Sequence, residues 1–208
     1  ASNNYCGIRL EESSNIIANN TVSDNYRGIH LYDSSNNIIA NNTVSDNFNG
    51  IYLEASSNNI IANNTVSDNE HGIYLSDSSN NTIANNNVSN NKIYLKGSSN
   101  NIIESNTVSN SFAGVYLYSS SNNIIANNTF SNNNDGIYLE DSSNNTIANN
   151  NVSDNYDGIE LGYSSNNIIA DNTISSNDYR GIYLYSSSNN TITNNIFYLN
   201  GMFVFESY

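Results

Sequence analysis

One phrase recurs from end to end of this chain: Gly-Ile-Tyr-Leu, two variable residues, Ser-Ser-Asn-Asn, then x-Ile-Ala-Asn-Asn-Thr-Val-Ser-x-Asn. The glycines that open each copy are Gly7, Gly28, Gly50, Gly72, Gly114, Gly136, Gly158, Gly181 and Gly201, mostly 22 residues apart, and Lys92 stands where one is missing. A unit this short cannot bury its apolar face alone, so copies must stack, each on its neighbours, into a solenoid. The repeat spans residues 1–208 without a shift in composition, which predicts a single domain with no linker.

Within a copy the periodicity is that of strands. After each glycine the first and third residues are aliphatic, as in Ile29 and Leu31, while the middle one varies (Arg9, His30, Tyr52, Glu160). Period-two alternation with one constant face is a half-buried strand. A second strand carries Ile17, Ile39, Ile61 and their equivalents, and a third carries Val22, Val44, Val66 through Phe130 and Phe197. Three short strands per copy, each pairing with its equivalent in the next copy, predict an all-β, three-sided parallel β-helix of about nine 22-residue coils. Parallel crossovers make right-handed coiling the expectation, and nine coils about 4.8 Å apart give a rod on the order of 45 Å long.

Two residues before each third-strand apolar position lies an asparagine: Asn20, Asn42, Asn64, Asn86, Asn106, Asn128, Asn150, Asn172 and Asn195. Alternation puts these amides inside, where each must find partners, and stacked amides can bond along the axis. An internal asparagine ladder is therefore expected, with a second one at Asn37 and its equivalents. The Ser-Ser pairs read as turn chemistry.

Composition narrows the function. Formal net charge is −14, with five cationic side chains (Arg9, Arg27, Lys92, Lys96, Arg180), whereas nucleic-acid binding needs clustered cations. No apolar run approaches the roughly 18 residues of a membrane span. Cys6 is the only cysteine, which excludes an internal disulfide and leaves it as a small filler or a candidate for an intermolecular disulfide. Transition-metal sites draw on clustered His, Cys or Met, and His30, His71, Cys6 and Met202 are scattered, so no cofactor is expected. Weak surface Ca²⁺ binding remains open at the corner carboxylates Glu12, Asp33, Asp77, Glu140 and Asp141.

With G-I-x-L, S-S-N-N-x-I and N-N-T-V-S-x-N recurring over essentially all of its length, the chain resembles the parallel β-helix repeats of the NosD-like and pectate-lyase-like superfamily. That resemblance covers copper-delivery accessory proteins, polysaccharide lyases and archaeal cell-surface proteins. The regular Asn/Ser/Tyr-rich version here is most similar to the archaeal surface and sheath type. A lyase of this superfamily implies an Arg or Lys base beside acidic Ca²⁺ ligands on one outer face. The candidate region for it is Glu70, His71, Asp77, Lys92, Lys96 and Glu104, where two residues are deleted before Lys92, and a shortened corner with solvated charges accounts for the same residues. A second irregular coil carries Asp178, Tyr179 and Arg180 with one inserted residue.

The outward row Tyr52, Tyr74, Tyr94, Tyr116, Tyr138 and Tyr183 reads as a cross-strand ladder, a face for packing against another rod, or a sugar-contact face. Asn-x-Ser/Thr sequons, such as those at Asn19 and Asn41, are by-products of the repeat. Both ends match mid-repeat sequence, so open edges are expected, with Met202, Phe203, Val204 and Phe205 as candidate end contacts. Taken together these features predict a non-enzymatic extracellular or cell-surface protein. Its rods would self-assemble, head to tail or laterally, into a filament, sheath or surface layer. The alternative is a carbohydrate-binding, or polysaccharide-lyase, module of a larger surface protein with cell-surface polysaccharide as partner.

Overall fold

The computed structural model describes residues 2–205, the last four by backbone alone. Each full coil gives one strand to each of three parallel sheets. The first sheet holds ten strands, from Cys6–Glu11 to Met202–Phe205; the second holds nine, from Ile16–Ala18 to Thr191–Thr193; the third holds nine, from Thr21–Ser23 to Ile196–Tyr198. Register repeats from coil to coil, Ile29 pairing with Ile51, Ile39 with Ile61 and Val44 with Val66, and shifts only at the last strand of the first sheet, between Arg180 and Tyr183. The inner faces meet in one core running the length of the rod, from Ile17 and Val22 to Ile182 and Leu184.

Corners explain why the chain is so rich in Asn and Asp. In the second coil, Asp33, Asn36, Asn41 and Asp46 adopt φ of 46°, 61°, 56° and 56°, the left-handed region that Asn and Asp tolerate best among residues with a side chain. The acidic residues Glu12, Asp33, Asp77 and Asp141, read from sequence as weak Ca²⁺ ligands, occupy this corner position in separate coils. Most of the sequon asparagines do the same at the other corners, for example Asn19, Asn41 and Asn63.

Inside the corners run the ladders. Each asparagine from Asn20 to Asn172 donates through Nδ2 to Oδ1 of the next one along, at 2.9–3.0 Å, ending on Asn195. The same Oδ1 also accepts the preceding ladder residue's backbone N–H, as Asn64 does from Asn42 at 3.0 Å. A second ladder starts at Asn37. A third, which the sequence reading did not single out, runs through Asn25, Asn47, Asn69 and Asn91 and resumes at Asn133, with Ser111 in the gap. A serine ladder from Ser34 lines the remaining corner.

The largest length irregularity falls at the corner before the first strand, and the first coil is one residue short at the Ser-Ser corner, where Ser13 pairs with Ser34 but Asn15 with Asn37. Where two residues are missing before Lys92, the strand shortens to Ile93–Lys96, and both Gly72 N and Ile73 N donate to Lys92 O. The buried pair Ile93 and Leu95 keeps its register with Ile73 and Leu75.

Candidate functional site

The outer face of the first sheet differs from the other two. In a chain of formal charge −14, all five cations and both histidines lie on or against it. Its geometry is set by the repeat glycine. A Cβ on Gly28 would fall 2.6 Å from Gly50 O and 2.9 Å from Val44 Cγ1, so this position faces the core. The ladder then pairs Arg27 with Asn49 and Ile29 with Ile51. The residue before glycine therefore turns outward, beside the middle residue of the same strand: Arg27 Nη1 lies 3.2 Å from His30 Nδ1, and the Arg180 guanidinium carbon lies 3.6 Å from the centre of the Tyr183 ring. Down the sheet these pre-glycine residues form a polar floor flanked by two aromatic rows.

One wall is the tyrosine row. Tyr52, Tyr74, Tyr94, Tyr116 and Tyr138 stack face to face with centroids 4.8–5.0 Å apart, and His30 extends the stack at 5.0 Å from Tyr52. Ring faces are thus occupied by other rings, which makes the row a cross-strand ladder and leaves edges and hydroxyls outward. Burial pushes the Tyr94 phenol up to about 12. The stack breaks at Glu160, which occupies the tyrosine position, so Tyr183 stands apart from the rest. In the same coil Gly162 lets the Tyr185 ring lie across it, where a Cβ would collide with the phenol, and Tyr185 Oη reaches Tyr138 Oη at 3.2 Å.

In this break sits the one group of three carboxylates close enough to share an ion among the described residues. Asp135, Asp157 and Glu160 bring carboxylate oxygens within 4.8 Å of one another. Arg180 grips Asp157 with Nε and Nη2 at 2.8 and 2.7 Å and lies 3.6 Å from Glu160 Oε2. Burial is the main force on the other two acids. It raises Asp135 to about 6, against a hydrogen bond from Asn134, and Glu160 to about 7, helped by the Asp135 charge and opposed by Arg180. Burial works against the Arg180 charge, yet its bond to Asp157 prevails and raises its pKa. The result is one fixed ion pair beside two carboxyls that exchange protons near neutrality, an arrangement suited to general acid–base work.

The regions anticipated from sequence are distributed differently. Glu104 lies on the second sheet, on another face from His71 and Lys92, and Asp77 is a left-handed corner, so the anticipated lyase cluster is not assembled. Of the irregular Asp178-Tyr179-Arg180 segment, Arg180 joins the acidic centre and Tyr179 stacks on Tyr156 at 5.3 Å. Cys6 is half-buried, its Sγ 4.0 Å from His30 Nδ1, and burial raises its pKa. The side chains of Met202, Phe203, Val204 and Phe205 lie outside the described residues. Asp135, Asp157 and Glu160 were missed as a centre because the three come from two columns and two coils of the repeat, Asp135 and Asp157 before the glycine and Glu160 in the tyrosine column. Reading the pre-glycine column downward, and noting Glu160 in a tyrosine column, is the signal that exposes them.

The family described as "Right handed beta helix region" matches residues 92–207, and that described as "Periplasmic copper-binding protein (NosD)" matches residues 1–96. No curated protein matches the chain in sequence. Among solved structures, the periplasmic alginate epimerase AlgG is similar over 88% of this chain and 50% of its own, at 24% identity and a TM-score of 0.82. DFA-IIIase from Arthrobacter chlorophenolicus A6 is similar over 83% of this chain and 54% of its own, at 16% identity and a TM-score of 0.69. The chain thus spans about half of each, and the likeness is one of fold.

Both of those solenoids are enzymes, which overturns the expectation that this chain is non-enzymatic. The physical reason is that stacking brings side chains about 22 residues apart into contact, so a repetitive sequence can assemble a centre that no single copy displays. Copper, which the NosD description carries, asks for imidazole or sulfur ligands. The nearest such pair, Cys6 and His30, does not fit it, because Arg27 Nη1 sits 3.2 and 3.3 Å from the two ring nitrogens. With more than half of its length matched and three parallel sheets in place, the chain belongs to the right-handed β-helix family.

Proposed function

We propose that this is a carbohydrate-active β-helix working outside the cytoplasm, which holds a glycan along the outer face of its first sheet and cleaves a glycosidic bond at the Asp135–Asp157–Glu160–Arg180 centre. The observation that carries the reading is this centre in the break of the tyrosine stack, with two carboxyls about 6 and 7 in pKa beside a saturated ion pair. Glu160, the more exposed of the two, gives its proton to the leaving oxygen, and the ionised Asp135 stabilises positive charge developing at the anomeric carbon. Water then adds to that carbon and returns a proton to Glu160. A neutral glycan suits a centre with three carboxyls and one cation, since a uronate would meet repulsion there. The AlgG and NosD descriptions, both periplasmic, support placement outside the cytoplasm.

The test is release of reducing ends from a panel of neutral polysaccharides by the protein and by Glu160→Gln. Turnover that Glu160→Gln abolishes, with folding intact by circular dichroism, is the expected result. Turnover surviving in that variant would refute the assignment.

A second reading, lateral self-association, is favoured by a separate observation. On the second sheet Ile16, Ile38, Ile60, Ile102, Ile124 and Ile168 point outward and are 37–72% exposed, with Thr82, Thr146 and Thr191 at the same register in the other three coils. A second copy has the same axial pitch and can interdigitate with this row, which is how exposed apolar stripes are usually covered. Sedimentation velocity checks it: a concentration-dependent dimer lost in Ile60→Lys supports lateral pairing, and a monomer at every concentration refutes it.

A further inference from the structure

The N-terminal half of the same floor carries an observation that the acidic centre leaves unexplained. Among the described residues, three buried side-chain atoms have no hydrogen-bond partner: Nε of Arg27, Oδ1 of Asn49 and Nδ1 of His71. They occupy one position in three successive coils, since Arg27 pairs with Asn49 and Asn49 with His71. Buried orphans are costly and rare in native folds, and accidents of packing have no reason to fall on one line.

Two aromatic rows flank these atoms. Tyr26 and Phe48 stack at 5.0 Å along one side, and Tyr52 and Tyr74 at 4.8 Å along the other. Arg27 spans the two sides, its guanidinium carbon 6.0 Å from the Tyr26 ring and 4.8 Å from Tyr52. His71 does the same, 6.0 Å from Phe48 and 5.2 Å from Tyr74. Burial holds that imidazole neutral, its pKa lowered to about 4.

The three orphans discriminate among ligands. Arg27 Nε only donates, Asn49 Oδ1 only accepts, and a neutral imidazole nitrogen does either according to tautomer. An anion would satisfy Arg27 and leave Asn49 unmet, and a cation would do the reverse. Hydroxyl groups, each both donor and acceptor, satisfy all three. We propose that Arg27, Asn49 and His71 form a binding subsite for a neutral, hydroxyl-rich saccharide laid along the rod axis between the two aromatic walls. The atoms lie below the surface, so entry requires the Phe48 ring, 47% exposed, to swing aside.

This subsite rests on the reading that a glycan occupies the first sheet, and it adds a place for the distal end of the chain. From His71 the floor continues past Lys92 and Ala113 to Asp135, three coils on, a separation on the order of 14 Å. Only a saccharide several rings long can touch both.

The experiment titrates cello-, xylo- and malto-oligosaccharides, from disaccharide to hexasaccharide, calorimetrically into the full chain. It uses Glu160→Gln to suppress turnover, with and without Asn49→Leu, and the melting temperature of each is measured. The expected result is that Asn49→Leu weakens hexasaccharide binding at least about tenfold, leaves disaccharide binding unchanged, and holds or raises the melting temperature because a buried orphan is gone. Unchanged hexasaccharide affinity, no binding of any oligosaccharide in the panel, or a lower melting temperature with unaltered affinity would each overturn the subsite. If Asn49→Leu abolishes binding while the wild-type chain turns nothing over, the subsite stands and the acidic centre falls. If turnover depends on Glu160 while affinity ignores Asn49, the centre stands and the subsite falls.

Discussion

The two halves of the first-sheet floor share one backbone register and differ in how completely their charges are met. At the C-terminal end an acid and a base occupy the same column in adjacent coils, Asp157 against Arg180, and close into a two-pronged bond with Asp157 only 3% exposed. At the N-terminal end the column reads Arg27, Asn49, His71, with no carboxylate among the three. Arg27 must look sideways to Glu54, 3.8 Å away and 35% exposed, and its Nε is left over. A parallel solenoid thus decides between a closed ion pair and unsatisfied buried groups by what stands one coil away.

The largest expected effect follows from that difference. Removing the base of a buried ion pair strands a charge, at about 3–5 kcal/mol, whereas exposed pairs contribute about 1 kcal/mol or less. Arg180→Leu should therefore lower unfolding free energy by about 3–5 kcal/mol and Arg27→Leu by no more than about 1 kcal/mol, read by urea titration. Equal losses would erase the contrast between the halves.

Much of this was legible beforehand because the repeat makes packing one-dimensional. Period-two alternation around Ile29 and Leu31 gave the inward face, and the invariant column at Asn42 gave the first ladder. The third ladder at Asn25 and Asn47 is not legible in the sequence because its column is broken by Ser111 and shifts around the deletion and insertion. The acidic centre was hidden for a different reason. Asp135 and Asp157 look like ordinary turn residues within one copy, and only the outward turn imposed by the inward-facing glycine brings them against Glu160.

A smaller effect separates the halves by pH. Asp135 and Glu160 have pKa values above the ordinary carboxylate range near 4, at about 6 and 7. Each favours the native state while protonated, and that contribution is lost as pH rises through those values. His30 and His71 are pushed the other way, to about 4, burial being the first cause and a nearby cation the second. Their contribution is present above the ordinary histidine value of about 6.5 and is lost as pH falls through about 4. From pH 4 to pH 7 the halves therefore oppose one another. Glu160→Gln should make the melting temperature climb more steeply with pH, and His71→Gln should make it fall relative to wild type. Shifts of several degrees are expected, at roughly 2–4 °C per kcal/mol for a chain of this size. Parallel profiles for all three proteins would refute the opposition.

The smallest effect tests whether the break in the tyrosine stack is there for chemistry. Glu160→Tyr restores the residue found in the neighbouring coils and would give Tyr138 a stacking partner, a gain of about 0.5–1.5 kcal/mol per aromatic pair. It also removes an acid held near a pKa of 7 by burial. If the break exists for function, the variant should be more stable than wild type by about 1 kcal/mol and should release no reducing ends, the trade of stability for activity seen at many active sites. Arg180 argues for the opposite outcome, because it already lies 3.6 Å from the Tyr183 ring centre and within 3.6 Å of Glu160, so a new ring would compete for its place. A destabilised variant would mean that the Asp157–Arg180–Glu160 cluster outweighs a stacked ring, and Glu160 would then be explained by the ion pair beside it without any reaction.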